Sequence, residues 1–187
     1  MERNLILIGF MGSGKTTVGK RFSLKMQVPF KDTDVLIEER EQRSVSEIFR
    51  TEGEMYFRDK ETELLTEIAG SACTCTMKSG ISADATEVQS LKKIISVGGG
   101  TPVREQNRPL LKKCGTVVYL RVRPETVYER LKGDTTRPLL SCADPLTRIR
   151  ELMESRREAY EGSADYVIDV DGMEPDEICD RLSDLLD

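Results

Sequence analysis

The chain has 187 residues, 28 of them basic and 33 acidic, with a net charge of -5 and no histidine. One domain around one core is expected at this length, and without histidine there is no His-based triad, Cys-His dyad or His-ligated zinc or haem, so acid-base work falls to carboxylates, Lys, Tyr or Cys. A pI near 5.1 argues against a protein that grips long nucleic acid through its phosphates, and the excess acid is local: Glu38 to Glu67 holds ten acids and five bases.

In chain order, Leu5-Ile-Leu-Ile8 is a strand-length apolar run, too short to cross a membrane and without a cleavage pattern behind it, so a cytoplasmic protein with no membrane partner is expected. Gly9-Phe-Met-Gly12-Ser13-Gly14-Lys15-Thr16 follows and fits GxxxxGK[ST], between that strand and a helix predicted over Lys15–Met26. Glycines there let successive amide N–H groups face a phosphate, the helix N-terminus adds its dipole, Lys15 supplies charge, and the Thr16 hydroxyl can ligate magnesium. A site for ATP or another nucleoside triphosphate follows.

Val28–Lys31 reads as a short strand leading to Asp32-Thr33-Asp34. Alternate spacing projects the two carboxylates differently, one for a magnesium shell and one for an acceptor hydroxyl; the same residues would also cap the helix predicted over Val35–Gln42. A helix over Tyr56–Ala69 precedes Gly70–Ser90, a small, polar and aperiodic stretch that reads as a long loop or insertion. Strand Ile94–Val97 runs into Gly98-Gly99-Gly100, where backbone can touch a ligand. Strand Thr116–Leu120 and helix Pro124–Leu131 lead to Gly133–Asp144, which carries Arg137-Pro138-Leu139-Leu140 and could fold over a site. Helix Pro145–Glu161, strand Tyr166–Val170 and helix Pro175–Leu186 complete the pattern. Strands apolar on both faces alternating with helices predict an α/β fold, a mainly parallel sheet flanked by helices. Five cysteines, odd in number and without a CxxC pair, read as free thiols.

The missing parts narrow the class of nucleotide protein. Strand Thr116–Leu120 runs into Arg121 and strand Ile94–Val97 into three glycines, so neither ends in the acid that motor and transporter ATPases place on magnesium, and the Asn-Lys-x-Asp guanine reader is absent. The matching residues instead resemble shikimate kinase, a P-loop small-molecule kinase of the nucleoside monophosphate kinase type. They are the P-loop, Asp32-Thr-Asp34, Ile48-Phe49 with Gly53-Glu54-x-x-Phe57-Arg58, the three glycines, Arg137-Pro138-Leu139-Leu140, and Arg156 four residues before Tyr160.

The resemblance implies one three-layer domain over 1–187, with an acceptor segment near 32–70, an insertion near 70–90 and a lid near 133–144. It implies transfer of the ATP γ-phosphoryl group to the shikimate 3-hydroxyl. Catalysis would fall to Asp34, Lys15 and Arg137, and ATP to Gly12, Ser13, Gly14, Lys15, Thr16, Thr17, Arg130 beside adenine, and Arg137. Shikimate would fall to Asp34, Arg58, Gly99 and Arg156, and Mg2+ to Thr16 and Asp32 through water. ATP and shikimate are then the only partners, and a monomer is expected. Two rivals stay open: a gluconate-type kinase on the same scaffold, against which the glycines and Arg58 motif speak, and a non-catalytic nucleotide-binding module. For Arg58 the alternative use is an ion pair with Glu54 or Glu61 at helical spacing.

Overall fold

The computed structural model describes residues 3–73, 91–132 and 144–186. Five strands, β1 (Arg3–Ile8), β2 (Phe30–Asp32), β3 (Leu91–Ser96), β4 (Gly115–Arg121) and β5 (Tyr166–Asp169), form one sheet in the order β2-β3-β1-β4-β5 with every neighbouring pair parallel. Helices make the crossovers. α1 (Lys15–Met26) joins β1 to β2, and α2 (Thr33–Glu41), α3 (Val45–Thr51) and α4 (Gly53–Cys73) lie between β2 and β3. Next come α5 (Asn107–Cys114) before β4, α6 (Pro124–Leu131) and α7 (Pro145–Ser163) before β5, and α8 (Pro175–Leu186) after it.

β1 is the central strand, and Leu5, Ile6, Leu7 and Ile8 are all fully buried, as a strand with neighbours on both edges and cover on both faces requires. They share a core with Phe22 of α1, Leu111 of α5, Val117, Val118 and Leu120 of β4, and Leu182 of α8. A second, smaller core of Ile37, Ile48, Phe57 and Leu64 holds α2, α3 and α4 to one another. That satellite ties the excursion between β2 and β3 together, while Leu65 and Ala69 of α4 belong to the main core and join it to the sheet.

The register brings three strand ends together. Leu7 lies opposite Ser96, and Ser96 opposite Asp32, so the segments after β1, β2 and β3 leave from one carboxyl edge. In this strand order β1 sits between a strand reached through α4 and one reached through α5, the place where open α/β sheets hold ligands.

Two helices lie outside the expected pattern. α3 is too short for its periodicity to be read, and its sign is the capping box: the Ser44 hydroxyl accepts from the Glu47 amide at 3.2 Å while the Glu47 carboxylate accepts from the Ser44 amide at 2.8 Å. α5 carries Pro109 in its first turn, where the missing N–H leaves no bond unmade. α4 also corrects the expected loop start, because Gly70 to Cys73 are still helical; extending a formed helix adds a hydrogen bond for each residue fixed. The rest of the insertion, and the lid with Arg137, lie outside the described residues. Cys114 and Cys179 are free and buried, and burial pushes the Cys114 thiol up to about 12, so neither is a ready nucleophile. Among the described residues no helix is long and apolar enough to cross a membrane.

Candidate active site

The loop between β1 and α1 takes backbone angles that glycine allows: φ is 75° at Gly12 and 95° at Gly14. Gly14 is the N-cap of α1 and offers no side chain to the first turn, so no capping side chain competes with an anion for the amide N–H groups there. The Lys15 ammonium lies back over the loop, donating to the Gly9 carbonyl at 2.7 Å and the Phe10 carbonyl at 3.1 Å. Ser13 is buried and its hydroxyl has no hydrogen-bond partner among the described residues. Arg130 reaches over from α6, Nη1 donating to the Gly12 carbonyl at 2.9 Å, and Thr17 is exposed on the first turn of α1.

Both readings of Asp32 hold at once. Its Oδ1 accepts from the Asp34 amide at 3.1 Å and caps α2, while its Oδ2 accepts from the Thr16 hydroxyl at 3.0 Å. A hydroxyl and a carboxylate oxygen thus meet at the phosphate end of the loop. They are hard oxygen donors, the kind that suits a small divalent cation keeping several waters and phosphate oxygens.

Across from the loop the second set converges. Asp34 turns Oδ1 into a buried position with no hydrogen-bond partner among the described residues. Burial first, then the Glu61 and Asp32 carboxylates, push its carboxyl up to about 6, against the pull of Lys15 and Arg58. Glu61 is only 1% exposed and accepts from the Thr101 hydroxyl at 2.5 Å and from Arg58 Nη1 at 2.8 Å. Arg58 also donates to Glu54 through Nε at 3.2 Å and Nη2 at 2.7 Å, with its guanidinium 6.0 Å from the Phe49 ring centre and 5.7 Å from that of Phe57. The helical ion pairs are therefore real. They use three of the five guanidinium N–H groups, fix the plane of the side chain, and leave two donors for a planar anion.

The glycine turn after β3 fits against this cluster. A Cβ on Gly100 would collide with the Arg58 guanidinium, and one on Gly98 with the Asp34 and Glu61 carboxylates; the Gly98 amide is tied to the Thr33 hydroxyl at 3.1 Å. Gly99 lies between the P-loop and α7, near the Gly9 carbonyl and the Met11 amide. Arg156 of α7 holds its guanidinium 5.8 Å from the Phe10 ring centre. The structure thus brings together Asp34, Arg58, Gly99 and Arg156 on one side and Gly12 to Thr17, Asp32 and Arg130 on the other. Sequence reasoning saw Glu61 only as an ion-pair partner and missed Thr101. The available sign was a glutamate one helical turn after Arg58 and a hydroxyl directly after the glycines.

A cradle for phosphates therefore faces a half-buried carboxylate and two arginines, an arrangement for moving a phosphoryl group onto a hydroxyl of an anionic small molecule. The family model described as shikimate kinase matches residues 11–187. The chain is 38% identical over 180 residues to a shikimate kinase of Thermodesulfovibrio yellowstonii, covering 96% of this chain and 92% of that one. Its fold is similar to that of a shikimate kinase from Acinetobacter baumannii in complex with shikimate, with a TM-score of 0.82 and 30% identity over 100% of this chain and 93% of the other. The shikimate kinase of Bacteroides thetaiotaomicron is also similar, with a TM-score of 0.77 and 31% identity, covering 98% of each chain.

Proposed function

The chain belongs to the shikimate kinase family, and on that premise we propose that it transfers the γ-phosphoryl group of ATP to the 3-hydroxyl of shikimate, giving shikimate 3-phosphate and ADP, a step toward the aromatic amino acids. The observation that carries this reading is the convergence of Asp34, Arg58 and the Gly98–Gly100 turn opposite a complete P-loop at one carboxyl edge. A coupled ADP-release assay over a panel of acceptors, shikimate and gluconate among them, tests it. Release should follow shikimate alone.

In this reading the amides of Gly12 to Thr17 and the Lys15 ammonium hold the phosphates, and Arg130 packs beside adenine. Arg58 and Arg156 grip the acceptor carboxylate while the Gly99 backbone meets the acceptor. Asp34 accepts the proton of the 3-hydroxyl. The oxygen forms its bond to the γ-phosphorus as the bond from that phosphorus to the β–γ bridging oxygen breaks, and the electron pair leaves with ADP. A carboxyl near 6 is a stronger base than an ordinary aspartate and is still ionised at neutral pH. Arg137, outside the described residues, is assigned to the moving phosphate. Thr16 and Asp32 suit Mg2+, which when bound offsets charge on the phosphates. We read the whole chain as one domain, with the acceptor segment near 32–70, the insertion near 70–90 and the lid near 133–144, working as a cytoplasmic monomer.

Arg58→Ala separates binding from chemistry. It should raise the shikimate KM by about 10- to 50-fold, the scale of a lost charge-assisted contact, with the ATP KM within twofold. An unchanged shikimate KM in steady-state kinetics would remove Arg58 from the acceptor site.

A further inference from the structure

The three glycines after β3 carry no side chain of their own to hold them in place, yet Gly99 has to present its backbone to the acceptor at a fixed position. Two of the three are pinned locally. The Gly98 carbonyl accepts from the Thr101 amide at 3.0 Å, the Gly100 carbonyl from the Val103 amide at 3.1 Å, and the Gly98 amide donates to Thr33. Gly99 differs. Its carbonyl accepts from the Tyr160 hydroxyl at 2.5 Å, and its amide N–H has no acceptor among the described residues.

Tyr160 is suited to act as an anchor. It is 1% exposed and stacked on Tyr119 of β4, with ring centres 5.1 Å apart and planes 12° from parallel, so its ring cannot swing away. The hydroxyl hydrogen goes to the Gly99 carbonyl. Burial pushes the hydroxyl up to about 12, so it remains a donor across the working pH range.

We infer that Tyr160 is a positioning residue for the acceptor: through its hydroxyl it holds the Gly99 peptide in one orientation, with the Gly99 N–H turned to the acceptor. This rests on the functional reading above. Tyr160 touches neither reactant. It ties the Gly99 turn to α7 and, through Tyr119, to β4.

The test is steady-state kinetics with both substrates on wild type, Tyr160→Phe, and a variant carrying 4-aminophenylalanine at 160. Phe keeps the stacked ring and removes only the hydroxyl. It is expected to raise the shikimate KM five- to tenfold, with the ATP KM and the kcat at saturation within twofold and the melting temperature within a few degrees. The aminophenyl ring restores a donor at the same place and should return the shikimate KM to within twofold of wild type, and it keeps the test open if Phe does not fold. An unchanged shikimate KM in the Phe variant, equal losses for both substrates, or no recovery with the amino group would each overturn the inference. Wild type is the separate arm: no phosphorylation of shikimate by it defeats the functional reading, whereas an active wild type with an indifferent Phe variant defeats the anchor alone.

Discussion

Asp34→Asn is expected to cut kcat by a factor of about 10² to 10⁴, the scale of a lost general base, while ATP affinity stays within about twofold and the ligand-free protein becomes more stable. The two effects share one cause. Oδ1 of Asp34 is buried without a hydrogen-bond partner among the described residues, and burial with Glu61 and Asp32 nearby pushes the carboxyl up to about 6. Its folded-state value thus lies above the unfolded value of 3.8, so ionising the group costs folding free energy. That penalty is absent below about pH 4, grows between there and pH 6, and is fully present above it. Asn removes it. At pH 8 the variant should gain about 1–3 kcal/mol, a rise in melting temperature of several degrees, and the gain should vanish near pH 4. The same group sets the acid limb of wild-type kcat/KM for shikimate, which should fall tenfold per pH unit below about 6. Near-wild-type turnover in the variant, or a variant less stable than wild type at pH 8, would contradict the role given to this carboxylate.

Gly98→Ala is the second large effect, and it is steric. The new Cβ would stand 2.7 Å from Asp34 Oδ1 and closer still to Glu61 Oε1. Glu61 cannot retreat, because it is buried and held by Thr101 and Arg58. The glycine turn must shift instead, straining the Gly98–Thr33 hydrogen bond and moving Gly99 with it. Kinetics should show kcat/KM for shikimate down about 100-fold and the ATP KM within about threefold, with a stability loss of about 1–3 kcal/mol. Gly162→Ala is the control. A Cβ there meets nothing within 4 Å among the described residues, and alanine in a helix is favoured over glycine by about 1 kcal/mol, so activity should be unchanged. Acceptor constants within threefold in Gly98→Ala would mean that the turn does not border the acceptor.

What could be read from the sequence was local. The P-loop is a contiguous run between a strand and a helix, and its conformation follows from its own glycines. Asp32 and Asp34 stand two positions apart, and the structure uses Asp32 both as a helix cap and as the partner of Thr16. Pairings across long stretches of chain were out of reach. Glu61 meets Thr101 across 40 residues and Tyr160 meets Gly99 across 61, and no spacing rule connects such positions. The strand order lies in the same category, since alternating strands and helices predict a parallel sheet without saying that β3 sits between β2 and β1. α3 was hidden by its length, and α5 by a proline that only its place in the first turn makes harmless. The acid excess between Glu38 and Glu67, plain in the composition, is used for order within the α2–α4 excursion: Glu54 and Glu61 hold Arg58, and Glu41 and Glu52 hold Arg43.

The central claim is that the P-loop and the pocket opposite it serve one transfer, from ATP to one hydroxyl of shikimate. The most direct test is to incubate the purified protein with magnesium, ATP and shikimate and identify the phosphorylated carbon by phosphorus–proton correlation NMR. The account predicts shikimate 3-phosphate, formed in equal amount to ADP. Phosphate on another hydroxyl, or ADP released with free phosphate and untouched shikimate, would contradict it.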